Sequence, residues 1–323
     1  MLYDRIINQG TINEPGGKPH PQFALPATVN WMRALRILIE HSDINFAKAT
    51  AFYKPQSKRT MDVLVENTVL EQLFLGLHHL SALEQFSKGT EVSDYARVGI
   101  IAWYYGISNA ASAMTAAQSG SFQEDHAGTA RLWDEQIAAR GLAIKPFNWR
   151  VSSLVESIYK PEVTSYKNGS AGTLLSKPTD SSQAVGTAGE YLSGSADWHA
   201  SRIKEDLMES KEFKALGVAD FRTKSARALR DSRLSRKSMG FVHQASRFRG
   251  KANYREALFL AYGSTTETIL AGFVEDLAVV LRGFLAMAGA FSERKLGTQI
   301  WSEFVADVDA KRAFTTSAAS IWA

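Results

Sequence analysis

The stretch from Ser93 to Ser119 constrains this chain more than any other. Ile100, Ile101, Trp103, Tyr104, Tyr105, Ile107 and Met114 follow helical spacing yet leave no polar face. A helix of that kind needs neighbours on every side. The expected fold is therefore mainly α, a bundle wrapped around this element. Ala102, Gly106, Ala110 and Ala113 put small residues along one side, where a second helix can approach closely.

Candidate wrapping helices lie on either side of it. From Thr28 to about Ser42, Trp31, Met32, Leu35, Leu38 and Ile39 fall at spacings of three and four. From Met61 to Phe86, Val69, Leu70, Leu73, Leu77, Leu80 and Leu83 form an apolar face. A polar turn, Gln123 to Gly128, leads into a helix ending near Gly141. Helical signal returns from Ser201 to Leu216, resumes from Tyr254 to Arg294, and closes with Thr298 to Phe314. No run of alternating residues is long enough for a large sheet.

Two regions break this pattern. Residues 1–27 contain Pro15, Gly16, Gly17, Pro19, Pro21 and Pro26, and read as an extended arm. Residues 142–200 set Gly169, Gly172, Gly186, Gly189 and Gly194 among many serines and threonines, with Pro161 and Pro178. They read as a loop-rich insertion dividing the helical core into parts 28–141 and 201–323.

A hydrophobic fraction of 45% with 22% charged residues belongs to a packed globular protein and excludes wholesale disorder. With no cysteine, disulfides, thiolate metal sites and cysteine nucleophiles are excluded, and a reducing compartment is the natural home. Met1 to Gly17 lacks the basic start and apolar run of a secretory signal. The most apolar stretch, Ile269 to Met287, holds Glu275, Asp276 and Arg282, which suits a buried helix better than a membrane span. A cytoplasmic location without membrane partners is expected.

Charge is unevenly placed. The chain carries +4 overall, but Arg222, Lys224, Arg227, Arg230, Arg233, Arg236, Lys237, Arg247, Arg249, Lys251 and Arg255 face one acid, Asp231, within segment 222–255. That segment is +10, which leaves the remainder at −6. Three explanations stay open: contact with RNA or another polyanion, pairing with acids such as Glu205, Asp206 and Glu209, or docking of a protein partner. Arginine outnumbers lysine in the block, and its planar fork suits phosphate or carboxylate. The nucleic-acid-binding candidates are Arg227, Arg230, Arg233, Lys237, Arg247, Arg249, Lys251 and Arg255.

Common catalytic motifs are missing. There is no GxxxxGK[ST], no GxGxxG after a strand, no HExxH and no GxSxG. His78 and His79 are helical neighbours about 100° apart and lack a third ligand at metal spacing. No metal and no cofactor are expected.

Two stretches resemble the HEPN superfamily, helical domains associated with nucleotides and RNA and common in bacterial toxin and defence systems. Ile100-Ile101-Ala102-Trp103-Tyr104-Tyr105-Gly106, followed by Ser108-Asn109-Ala110-Ala111, looks like that group's buried double-tyrosine helix. The turn Asp125-His126-Ala127-Gly128 is similar to its histidine–small–glycine turn. Later, Arg249-Gly250-Lys251-Ala252-Asn253-Tyr254-Arg255 resembles the family's arginine followed by Ala-Asp-Tyr, with Asn253 in place of the acid. Trp31 and the double tyrosine also resemble YaaC-like bacterial proteins.

The resemblance implies a HEPN-like bundle that binds RNA or cleaves it without metal, usually as a homodimer or within a larger complex. It also implies that Tyr254 anchors a late helix to the core. The alternative is a non-catalytic helical subunit that docks partners. Catalytic members use an arginine, four to six residues and a histidine to polarise a phosphate and assist attack by the RNA's own 2′-OH. Arg36/His41 and Arg236/His243 both fit that spacing. Chance alone yields about 1.3 such matches in a chain of this composition, so spacing does not choose between them. Geometry does. Seven residues along a helix return to nearly the same face, whereas five leave the side chains about 140° apart. Arg236 and His243 are therefore the catalytic candidates.

Overall fold

The computed structural model describes residues 2–12, 20–253 and 255–323. It is mainly helical, with no strand among those residues, although an isolated antiparallel bridge joins Val151 and Met239. In chain order the helices are α1 (Leu2–Gln9), α2 (Pro21–His41), α3 (Phe46–Tyr53), α4 (Val63–Phe86), α5 (Val92–Ser119) and α6 (His126–Gln136). Then come α7 (Glu156–Lys167), α8 (Ser181–Met208), α9 (Lys211–Lys214), α10 (Lys224–Leu234) and α11 (Phe241–Asn253). The chain finishes with α12 (Thr266–Leu270), α13 (Phe273–Leu296), α14 (Thr298–Lys311) and α15 (Ala319–Trp322).

The helix without a polar face is α5, and it is surrounded as its sequence requires. It packs on α4, α13, α11 and α6, with Trp103, Tyr104, Ile107 and Met114 wholly buried. The stripe of small residues is where the close approaches occur. A Cβ on Gly106 would stand 2.5 Å from a Leu281 methyl, and one on Gly76 of α4 would stand 3.5 Å from the Gly106 carbonyl oxygen. Each fully buried Leu or Phe around this axis contributes roughly 1.5–3 kcal/mol.

Segment 269–287 is indeed buried, mostly as α13, and no helix among the described residues is long and apolar enough to cross a membrane. Its acid Asp276 is fully buried. Arg33 Nε reaches it at 2.6 Å and Arg36 Nη1 at 3.1 Å, which couples α13 to α2.

Three sequence expectations require correction. The proposed arm of residues 1–27 is helical over Leu2–Gln9 and again from Pro21 onward. Pro21 occupies the first helical position, where its missing N–H costs nothing, so it starts α2 rather than preventing it. Pro15, Gly16, Gly17 and Pro19 lie outside the described residues.

The proposed loop-rich insertion, 142–200, contains α7 and most of α8. Gly172 and Gly186 serve close packing. A Cβ on Gly186 would meet the Gly172 backbone at 2.5 Å, and one on Gly172 would meet the Gln183 carbonyl oxygen at 1.9 Å. Around Ala184, Ala188, Leu192, Ala196, Trp149 and Tyr159 a second hydrophobic cluster forms and docks on Ala34 and Leu38 of α2. The third correction concerns the helix expected from Tyr254 to Arg294. It is interrupted by a 3₁₀ turn at Arg255–Leu260 and the short α12.

Trp31 ties α2 to α8, α11 and α5 within the first cluster. Its ring stacks on Tyr191 of α8 at 3.9 Å and meets Phe248 of α11 and Trp103 of α5 edge-on at 4.9 and 5.9 Å. α11 is thereby held between α5, α6 and α8.

Candidate nucleic-acid interface

The basic segment does not fold as one surface. Its first part forms α10 and the turn after it. Thr223 caps the helix by accepting from the Ala226 N–H at 3.3 Å. Only Ala226 and Leu234 of α10 are buried, so the element rests on the body through one narrow edge. Lys224, Arg227 and Arg233 are exposed along it, as are Arg236 and Lys237 just beyond.

Pairing accounts for some of these cations. Arg222 meets Asp220 at 3.3 Å, Arg230 meets Asp231 at 2.8 Å and Arg233 meets Glu212 at 2.5 Å. The acids anticipated as partners look elsewhere: Glu205 pairs with Arg202 and Glu209 with Lys214. Lys224, Arg227, Arg236 and Lys237 have no carboxylate partner among the described residues; Arg227 donates only to the Arg222 carbonyl oxygen.

The second part lies on α11 and turns toward the body. Arg247 donates to Ser195 Oγ at 3.0 Å and lies 5.6 Å from the Tyr191 and Trp198 ring centres. Arg249 sits 4.9 Å from the Tyr104 ring centre. The Lys251 and Arg255 side chains, and Tyr254 altogether, fall outside the described residues.

Arg236 and His243 do not share a helix. Arg236 stands in the exposed turn after α10, and the chain is non-helical until α11 begins at Phe241. The same-face argument therefore does not apply, and no hydrogen bond or ring contact joins the pair. His243 is half-buried. Its Nδ1 accepts from the Gly240 N–H at 3.3 Å, and its ring meets His199 edge-on at 6.2 Å. Burial lowers its basicity; Arg150 and Lys237 act in the same direction and Asp134 opposes. Arg36 is also committed. Burial works against its charge, but hydrogen bonds to Glu40, Glu275 and Asp276 hold the guanidinium above its ordinary range.

Asp134 is the centre of the polar cluster beside His243. It is fully buried, accepts two hydrogen bonds from Arg150 at 3.0 and 2.9 Å, and accepts another from Ser238 Oγ at 2.5 Å. These bonds tie α6 to the segments on either side of the Val151–Met239 bridge. A Cβ on Gly240 would stand 2.5 Å from Asp134 Oδ1, which explains a glycine there. The two partners are 16 and 104 residues away in sequence, and no spacing pattern links them.

The residues carrying the family resemblance do come together. Tyr104 and Tyr105 of α5 each face His126 edge-on, at 5.1 and 5.5 Å, and Arg249 covers Tyr104. His79 of α4 stacks beside Tyr105 at 5.9 Å. Asp125 caps α6 by accepting from the Gly128 N–H at 2.7 Å, which sets His126 as the first helical residue. Burial, then the Arg249 charge, lowers the basicity of His126, with Asp125 opposing. Compared with family models, curated proteins and solved structures, the chain matches none.

Proposed function

We propose that this protein binds RNA through the exposed side of α10 and the turn that follows it. One observation supports the reading above others: Lys224, Arg227, Arg236 and Lys237 crowd one peripheral helix and turn with no carboxylate partner among the described residues. Unpaired cations at that density create a positive potential that a phosphate backbone relieves by counterion release. The element's small footprint leaves these side chains free to follow a strand, and guanidinium planes also stack on unpaired bases.

Single-stranded RNA should therefore bind with an affinity that falls steeply with salt, at a log–log slope of about −0.7 per phosphate contact. Arg227, Arg236 and Lys237 changed together to Glu should abolish binding and leave the thermal transition unchanged, because exposed charges contribute little stability. Fluorescence anisotropy with a labelled RNA across a salt series measures both quantities. A folded variant with undiminished affinity would defeat the reading and point to protein docking. Metal-independent cleavage is the further step that the HEPN resemblance implies. Incubation with RNA in EDTA, scored for 2′,3′-cyclic ends, tests it directly.

A further inference from the structure

Arg249 presents a physical problem that the fold leaves unsolved. Its Nε is buried and has no hydrogen-bond acceptor, and none of its guanidinium N–H groups donates a hydrogen bond among the described residues. No carboxylate among the described residues pairs with it. Tyr104 stabilises the cation through its π-face, but a ring supplies no acceptor for the N–H groups. A buried guanidinium donor without an acceptor is costly, and such groups in native proteins ordinarily have a partner.

The surroundings repeat the deficit. Tyr104 is wholly buried, and its Oη, near the Ser246 and Ser108 hydroxyls, makes no well-formed hydrogen bond. His126, half-buried beside both tyrosines, opens α6, so its own N–H and that of Ala127 lack the intrahelical acceptor that Asp125 gives Gly128. Asp125, the acid facing His126, is turned into the helix as its cap. Donors and positive charge thus gather from α5, α6 and α11, and neither Arg249 Nε nor the Tyr104 hydroxyl has an acceptor among the described residues.

We propose that Arg249, His126 and Tyr104 form a binding site for a phosphate group carried by a small phosphorylated molecule. A phosphate dianion has the charge to pair with the arginine, and its three terminal oxygens can accept from the guanidinium, the imidazole and the phenol together. A carboxylate, with two oxygens and one charge, satisfies fewer of these donors. The site is separate from the α10 surface and does not depend on RNA binding there.

The imidazole of His126 reports on the site directly. Its resonance is assigned by its loss in His126→Gln, and its pH titration is followed by NMR with inorganic phosphate or with acetate at matched ionic strength. Phosphate should raise the His126 pKa by about one unit, as an opposite charge within contact distance does. Acetate should raise it less. Arg249→Gln should remove the phosphate response, and the Glu-reversed α10 variant should retain it, so this proposal and the RNA reading fail separately. No phosphate response in the folded wild-type protein, or an equal response to acetate, would overturn the proposal. Since the wild-type titration decides, a poorly folding Arg249 variant would not rescue it.

Discussion

Buried polar residues carry more of this protein's specificity than its exposed arginines. Asp134, itself fully buried, makes three hydrogen bonds, and replacing it leaves the half-buried Arg150 charge and Ser238 hydroxyl without their acceptor. Asp134→Ala should therefore cost about 3–5 kcal/mol, the range for breaking a buried ion pair from one side. Denaturant unfolding measures it, and Asp134→Asn, which keeps an acceptor for Ser238, should cost less. Acid sensitivity belongs to the same cluster. Burial, with His243 and Arg247 nearby, pushes His199 down to about 4, against an ordinary value near 6.5 when unfolded. The unfolded chain then binds more protons between those values, so stability is full above pH ~6.5 and falls as pH drops toward 4. His199 Nε2 is buried without a hydrogen-bond partner, so His199→Phe should flatten that acid limb in melting curves recorded across the window. None of these roles was legible from spacing. The contacts join residues far apart in sequence, whereas the arginine–histidine pairs that spacing did select fell on separate elements or into ion pairs.

At the scale of elements, period and composition part company. The apolar periods of α2, α4, α5 and α13 were readable because each buries a broad face, and burial on that scale imposes the 3.6-residue pattern. α8 hid itself. Gly186, Gly189, Ser195 and Ala196 reduce its apolar signal, yet all four are buried; the Gly172 backbone lies over Gly186 and the Lys167 side chain over Gly189. Two glycines of this one helix should consequently respond in opposite directions. Gly186→Ala drives a methyl into the Gly172 backbone and should destabilise by about 1–3 kcal/mol. Gly194→Ala has open space around it and should stabilise by roughly 0.5–1 kcal/mol through helix propensity. Thermal melts of the two variants check this, and equal shifts would refute the close-packing account of α8. Prolines misled the reading of the N-terminal region: Pro21 stands at the first helical position, where it costs nothing, and α2 runs on through Pro26.

Over the whole molecule, two hydrophobic clusters share α2, and within the first of them Trp31 ties that helix to α8 and α11. Trp31→Ala should cost about 3–5 kcal/mol. It should also lower hydrogen-exchange protection in α8 and α11 together, since both pack on that ring; loss confined to α2 would mean that the ring does not couple these helices. The sequence alone determined that the chain is helical, that α5 lies at its centre, and that positive charge collects in segment 222–255. Each of these follows from local periodicity or local composition, which a linear reading contains in full. Tertiary structure decided which arginines are neutralised, which are turned inward, and which histidines meet a cation. Those outcomes depend on contacts across tens to hundreds of residues. The block of charge was therefore visible as one feature in the chain, yet in the fold α10 carries its exposed half outward while α11 brings Arg247 and Arg249 against buried aromatic rings.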